Sequence, residues 1–584
     1  MQQEGNHGFQ SDVIAELIRA FDFPYITLNP GASYRGLHDS LVNHTGNEPP
    51  MLLCQHEKIA VQIAHGYAKV TGRPLVAIVH DVVGMLHSVM GIYYAYIDRC
   101  PVFVIGATGP VDEGKRRPWI DWIHTANVQG NAVRDFVKWD YQPGGIDGVT
   151  DSFARAYSIM MTEPQGPIYM CYDAWLQEAP LAKPIPLPPA EAAVPTRIAA
   201  APSVLDDVAD ELLTAAWPVL LAEFVGRSLS GFDDLVALAE CLGAPVYDIE
   251  TRLNFPTAHE LNLSHDKETF RDADLIVALD VRNWEDPTHE PDWTSRTARA
   301  VYAPECRWID IGFASIEISK WSTDYQRFPS VAKRVLADTA LAIPALTAIC
   351  RARIADDAAL AGRVEARRAR VRDRHNALRD RWREQARVNW DAAPMTVPRL
   401  VSEVWSAIKD EDWVLTANSL NDWALKLWDF DASYRHPGKY LGTGTQIGLS
   451  IGVALAHKGT GRLVVDLQPD GDLLFDTGAL WTPARYDIPM LVIMHNNRAY
   501  WNDWNHQIAV ARHRGTPVER AYIGQDIVDP PPDFAAIARG FEWYAEGPIE
   551  QPDDVAAALR RAIEAVKNGT PALIDTITRR PFPT

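Results

Sequence analysis

The stretch Pro469–Asn497, PDGDLLFDTGALWTPARYDIPMLVIMHNN, decides the fold. It follows the apolar run Leu463–Leu467, and its own second apolar run, Met490–Met494, ends in Asn496-Asn497. The pattern predicts a strand, a helix over Leu473–Tyr486 that runs back along a sheet, and a second, parallel strand. A right-handed βαβ unit puts both strand C-termini on one rim, the rim where open α/β sheets bind ligands. Asp470 and Asn497 are therefore expected to meet there. Gly471 is expected to allow a tight turn, and the helix start behind it offers free N–H groups to a phosphate. A carboxylate and an amide oxygen beside bound phosphate form an oxygen site for a hard cation such as Mg²⁺. Each fragment alone is an ordinary polar turn; the pair on successive strands carries the reading.

Outward from this unit, strand and helix patterns alternate through most of the 584 residues, too many for one hydrophobic core. Residues 11–180 place helices at Ser11–Phe21, His56–Val70 and Gly91–Ile97, and strands at Leu75–His80, Val102–Gly106 and Pro167–Tyr172. The proline-rich Leu181–Thr196 reads as a linker. A second block, 197–350, has strands at Val219–Phe224, Pro245–Ile249, Leu275–Leu279 and Trp308–Ile311. The run Arg351–Arg387, dense in Arg, Ala, Asp and Glu, reads as a solvated helical connector. The third block places a helix at Pro398–Ile408, a strand at Trp413–Thr416, a helix at Val555–Val566 and a strand at Ala572–Thr576. The expected architecture is α/β, three doubly wound parallel-sheet domains over 1–182, 197–350 and 395–584, with a connector at 351–394.

A net charge of −20 argues against a nucleic-acid binder, which needs a basic surface. The six cysteines, from Cys54 to Cys350, are far apart and show no metal or disulfide spacing. That suits a reducing cytosol, and no apolar run is long enough to span a bilayer. A cytoplasmic protein without nucleic-acid or membrane partners is expected.

The DG…NN pattern, Asp470-Gly471 followed by Asn496-Asn497, resembles the cofactor motif of thiamine diphosphate-dependent enzymes. Pro469 stands where that motif has glycine, and Asp472 where a small residue is common. A second carboxylate near a diphosphate must point away or be paired. The resemblance implies that Asp470, Asn497 and the Ala499 carbonyl hold Mg²⁺, and that Gly471 and Asp472 lie at the thiamine diphosphate. The stretch Cys54–Gly72, CQHEKIAVQIAHGYAKVTG, resembles the family's glutamate helix. Glu57 is the matching residue, above an apolar stripe of Ile59, Ala60, Ile63, Ala64 and Tyr67. It would polarise the aminopyrimidine ring, while the cofactor carries the hard chemistry. In LGTGTQIGLSIG, Leu441–Gly452, the apolar support of the bent cofactor falls on Thr445 by gap-free alignment and on Ile447 by chemistry. The family also implies a pyrimidine-binding first domain, a middle domain, a diphosphate-binding third domain, and a homodimer or homotetramer with active sites between subunits.

Within the family, the nearest likeness is to benzoylformate decarboxylase and acetolactate synthase-like enzymes. LNPGAS, Leu28–Ser33, resembles the decarboxylase's substrate loop and brings Ala32 and Ser33 to the pocket. VHDVVGMLHSVMG, Val79–Gly91, sets His80 in the histidine position, as a proton relay near neutral pH, with His87 nearby. FVKWDYQP, Phe136–Pro143, and NFPTAH, Asn254–His259, resemble two further segments. In Arg498–Gln507, Asp503 takes the place of an acidic group facing substrate, and Tyr500, Trp501 and Trp504 wall an apolar pocket. The expected activity is decarboxylation or cleavage of a 2-oxo acid or 2-hydroxy compound. Alternatives are an acetolactate synthase-like carboligase, a 2-hydroxyacyl-CoA lyase using Arg252, Arg271 and Arg282, and a non-catalytic partner protein of the same fold.

Overall fold

The computed structural model describes residues 8–189, 194–292, 295, 297–313, 316, 330–439 and 444–580. Three all-parallel sheets with flanking helices are present. The first runs Met51–Leu53, Ile26–Leu28, Val76–Ile78, Phe103–Thr108, Ile168–Asp173 and Trp139–Tyr141. The second runs Lys333–Leu336, Arg307–Gly312, Leu275–Leu279, Pro218–Ala222 and Val246–Asp248. The third runs Trp413–Leu415, Leu463–Pro469, Leu491–Asn496, Ala572–Ile577 and Tyr544–Ile549. A short antiparallel hairpin, His289–Asp292 with Thr297–Ala300, stands apart.

The central strands of all three sheets are buried on both faces, as continuous apolar runs such as Leu275–Leu279 require. The first and third sheets share a core: Ile59, Ile63 and Val104 belong to the same apolar cluster as Ile447, Leu473 and Met494. Glycines let the helices between them touch. A Cβ on Gly66 would lie 2.0 Å from the Leu449 carbonyl oxygen, and one on Gly452 would lie 2.2 Å from that of Ile63. Helix Glu57–Thr71 therefore crosses helix Gln446–Ala456 backbone to backbone.

The run expected to be a solvated connector differs. It forms one helix, Ala358–Ala386, and the preceding helix Thr339–Ala355 runs through position 350. Leu360, Val364, Arg367, Val371, His375, Leu378 and Trp382 are buried along one face at helical spacing. The apolar members of this stripe are interrupted by Arg367 and His375 and sit in a charge-rich run, so the composition hid it. Arg367 is buried because it donates to the carbonyls of Ala215 and Leu242, the latter ending helix Gly231–Leu242.

The helix expected over Leu473–Tyr486 is broken into Asp470–Phe475, Thr477–Leu480 and Trp481–Arg485. Asp476 leaves helical geometry (φ −141°, ψ 40°), and Lys58 of the first domain pairs with its carboxylate at 2.9 Å. A tertiary contact outweighs propensity there. Conversely, the helix expected to begin at Gly91 begins at Val83 and carries His87.

Candidate active site

Strands Leu463–Pro469 and Leu491–Asn496 pair in parallel, with Pro469 opposite His495. Both end on one rim, beside a cavity of about 420 Å³ lined by Pro469, Asp470, Gly471, His495, Asn497 and Ala499 among others. Asp470 is buried and accepts from the Gly471 amide at 2.8 Å and the Ala499 amide at 3.3 Å. Burial pushes its carboxyl up to about 6 despite these donors. Asn497 Oδ1 is buried with no hydrogen-bond donor. An orphaned amide oxygen beside an under-compensated carboxylate is the donor set a hard divalent cation satisfies.

The orientation of Asn497 has a cause that the sequence did not reveal. His495 is buried and held neutral, its pKa lowered to about 4 by burial. One ring nitrogen lies 2.7 Å from Thr578 Oγ1, the other 3.3 Å from Asn497 Nδ2. A neutral imidazole facing an amide nitrogen must accept from it, which turns Asn497 Oδ1 the other way. Asn496 instead donates to buried Asp575 at 3.0 Å. Only one of the paired asparagines thus serves the cavity.

Gly471 departs from its expected role. It sits in a helical turn rather than at positive φ; its lack of a side chain makes room for Tyr500, whose ring would meet a Cβ at 2.6 Å. Asp472 also lines the cavity, but its carboxylate accepts from the Gly444 and Gln446 amides and from Gln468 Nε2. It is paired with the start of helix Gln446–Ala456, which resolves the electrostatic conflict. Tyr500, Trp501 and Asp503 line the cavity. Trp504 is absent from that lining and packs under Arg580 at 4.7 Å. Neither Thr445 nor Ile447 lines it: Thr445 precedes the helix, and Ile447 is fully buried in the shared core. Leu441–Thr443 of that stretch lie outside the described residues.

Glu57 forms a second cluster, on the first domain. It is the first residue of its helix, behind His56, whose ring accepts the Lys58 amide at 3.1 Å. The carboxylate is buried, 3.2 Å from His87 Nδ1, and Gly84 leaves it room: a Cβ there would lie 2.6 Å from Glu57 Oε1. His56 and His87 stack at 4.6 Å. Glu57 is not among the residues lining the Asp470 cavity.

His80 packs on Gly31 and is tied inward. Its Nδ1 lies 2.8 Å from buried Ser33 Oγ, and its Nε2 3.1 Å from Asp81. Nδ1 is thus held by Ser33, while Nε2 faces the buried Asp81 carboxylate without a hydrogen bond to it. Ala32 is exposed. The arginines proposed for a nucleotide are taken: Arg252 pairs with Asp98 at 2.5 Å, Arg271 with Glu268 at 2.6 Å and Arg282 with Glu223 at 3.2 Å. A larger cavity, about 800 Å³, opens beside the edge strand Trp139–Tyr141. It contains none of the expected site residues, so the smaller cavity is the candidate on chemical grounds.

The fold and these two clusters define a class. Residues 10–129 match the family model of the thiamine pyrophosphate enzyme N-terminal TPP-binding domain, and residues 419–576 match that of the C-terminal TPP-binding domain. The chain is a thiamine diphosphate-dependent enzyme, in the group that holds benzoylformate decarboxylases and acetolactate synthases. It is similar to benzoylformate decarboxylase of Pseudomonas aeruginosa, with 24% identity over 93% of this chain and 96% of that one. It is also similar to acetolactate synthase 1 of Nicotiana tabacum, with 22% identity over 97% and 81%. Its fold matches the crystal structure of benzoylformate decarboxylase from Polynucleobacter necessarius, TM-score 0.75, 18% identity, over 99% of this chain and 100% of that one. Among the described residues no helix is long and apolar enough to cross a membrane.

Proposed function

We propose that the protein cleaves the carbon–carbon bond beside the carbonyl of a 2-oxo acid, with thiamine diphosphate and Mg²⁺, releasing CO₂ and an aldehyde. The observation that carries this reading is the buried pair of Asp470 and the orphaned Asn497 oxygen on one rim. These two, with the Ala499 carbonyl, are the residues to hold Mg²⁺ and, through it, a diphosphate. When bound, the cofactor supplies a nucleophilic carbon and an electron sink. The chain's own tasks are then binding, orientation and proton placement. Glu57, kept dry by burial, would hydrogen-bond the pyrimidine end. Tyr500 and Trp501 wall the cavity against water.

Because Glu57 is absent from the Asp470 cavity lining, the working site is assigned to two chains, the first domain of one facing the third domain of its partner. Exposed apolar side chains support self-association: Val83, Leu86 and Met90 lie on the helix that carries His87, and Phe475 lies beside the Asp470 turn. A homodimer or a homotetramer follows. A coenzyme A thioester substrate is disfavoured, since the candidate arginines are already neutralised.

One observation favours a second reading, carboligation. His80, the histidine best placed by sequence, has Nδ1 held by Ser33 and Nε2 turned toward buried Asp81. A ring held this way would be a poor proton donor to substrate, and slow protonation would favour carbon–carbon bond formation with a second carbonyl compound. The experiment is turnover of a panel of aromatic and aliphatic 2-oxo acids with thiamine diphosphate and Mg²⁺. CO₂ with aldehyde marks the decarboxylase, and CO₂ with a chiral acyloin marks the carboligase. Failure to release CO₂ from any of them would overturn both.

A further inference from the structure

A second polar cluster lies on the C-terminal rim of the first sheet: His80, Asp81 and His124. Asp81 follows the strand Val76–Ile78 and is fully buried, yet neither of its carboxylate oxygens has a hydrogen-bond donor. His80 Nε2 lies 3.1 Å and His124 Nε2 3.9 Å from Asp81 Oδ1. One ligand atom from each residue falls within 4.8 Å of the others. The 3.1 Å approach is not aligned as a hydrogen bond, so the ring nitrogen and the carboxylate oxygen share a neighbouring space rather than a proton.

An ionised carboxylate buried without a partner is costly, and burial drives the Asp81 carboxyl up to about 7. Arg117 is the nearby permanent cation, but its Nε and Nη2 are spent on Asp121 at 3.0 and 2.7 Å. Something positive is missing from the cluster. Ser33 Oγ sits 2.8 Å from His80 Nδ1 and also accepts the Asp81 amide at 3.0 Å. A hydroxyl holding the far nitrogen of a ligating histidine is the usual way such a ring is aimed.

We propose that His80, Asp81 and His124 form a binding site for a divalent transition metal of the zinc class. Two imidazoles and one carboxylate suit Zn²⁺ or Co²⁺, whereas Mg²⁺ takes oxygen ligands. Three protein ligands leave a coordination position for water or an anionic oxygen. The site is separate from the magnesium expected at Asp470 and does not depend on the thiamine reading, because its test reads metal content.

The test uses the full chain, stripped with a chelator and titrated with ZnCl₂ in excess Mg²⁺, followed by metal analysis and by the visible spectrum after CoCl₂ substitution. Wild type is expected to retain one Zn²⁺ per chain. His124→Ala and the isosteric Asp81→Asn, each checked for folding by circular dichroism, are expected to lose it. Ser33→Ala is expected to weaken it about 10-fold or more. His56→Ala is the control for the neighbouring His56, Glu57 and His87 group and should leave binding unchanged. Absence of stoichiometric Zn²⁺ from wild type, or equal binding by folded His124→Ala, overturns the proposal.

Discussion

Asn497 and Asp470 line one cavity, and the amide nitrogen of Asn497 is fixed 3.3 Å from His495. A metal ligand must be deprotonated, and burial raises the Asp470 carboxyl to about 6. Mg²⁺-dependent cofactor binding is therefore expected to be pH-independent above about 7 and to weaken as pH falls through about 6. His495→Ala, which frees the Asn497 amide, should weaken it about 10- to 100-fold. Calorimetric titration at several pH values checks both.

The role proposed for the Glu57 carboxylate is to act on the cofactor rather than to hold it. Glu57→Gln should lower kcat by about 10²- to 10⁴-fold, the usual worth of a proton-transfer group, while leaving cofactor affinity within a few-fold. Parallel loss of affinity would reassign Glu57 to binding.

The crossing at Gly66 gives a stability prediction independent of function. Gly66→Ala drives a methyl group into the Leu449 carbonyl. It should cost about 1–3 kcal/mol or more, read from the denaturant midpoint of the first transition. Gly362, exposed inside helix Ala358–Ala386, has nothing within 4 Å of its added Cβ. Gly362→Ala should be neutral or stabilising by up to about 1 kcal/mol.

His265 joins the second domain to the third through Glu250 at 2.9 Å and Asp422 at 3.4 Å. Burial alone would lower its pKa, but the two carboxylates outweigh burial and raise it to about 9. A raised histidine stabilises the fold fully below its unfolded value of about 6.5 and loses that contribution as pH rises through about 9. The contribution is on the order of 3 kcal/mol. The melting temperature should fall between about pH 6.5 and 9, and His265→Gln should flatten that limb.

The βαβ unit around Asp470 was legible because two apolar runs bracket an acidic turn and an amide pair, and parallel pairing follows from their spacing. The Glu57 helix was legible from its stripe of Ile59, Ile63 and Tyr67. What the sequence hid is set by tertiary contacts. His495 acts through Asn497, two residues away on the same strand end. Asp472 is paired by amides from a distant helix start. The buried face of Ala358–Ala386 mixes arginines and a histidine with its apolar residues, inside a run whose composition reads as solvated. Asp81 stood next to His80 in the sequence, and an aspartate ending an apolar strand was the available signal; His124, far along the chain, had none.

The most direct test is isothermal titration of the metal-free protein with thiamine diphosphate, with and without Mg²⁺, in wild type and in folded Asp470→Ala and Asn497→Ala. Saturable binding that requires Mg²⁺ in wild type and fails in both variants is the predicted result. Mg²⁺-independent binding, or wild-type affinity in the variants, would contradict the assignment of this rim as the diphosphate site.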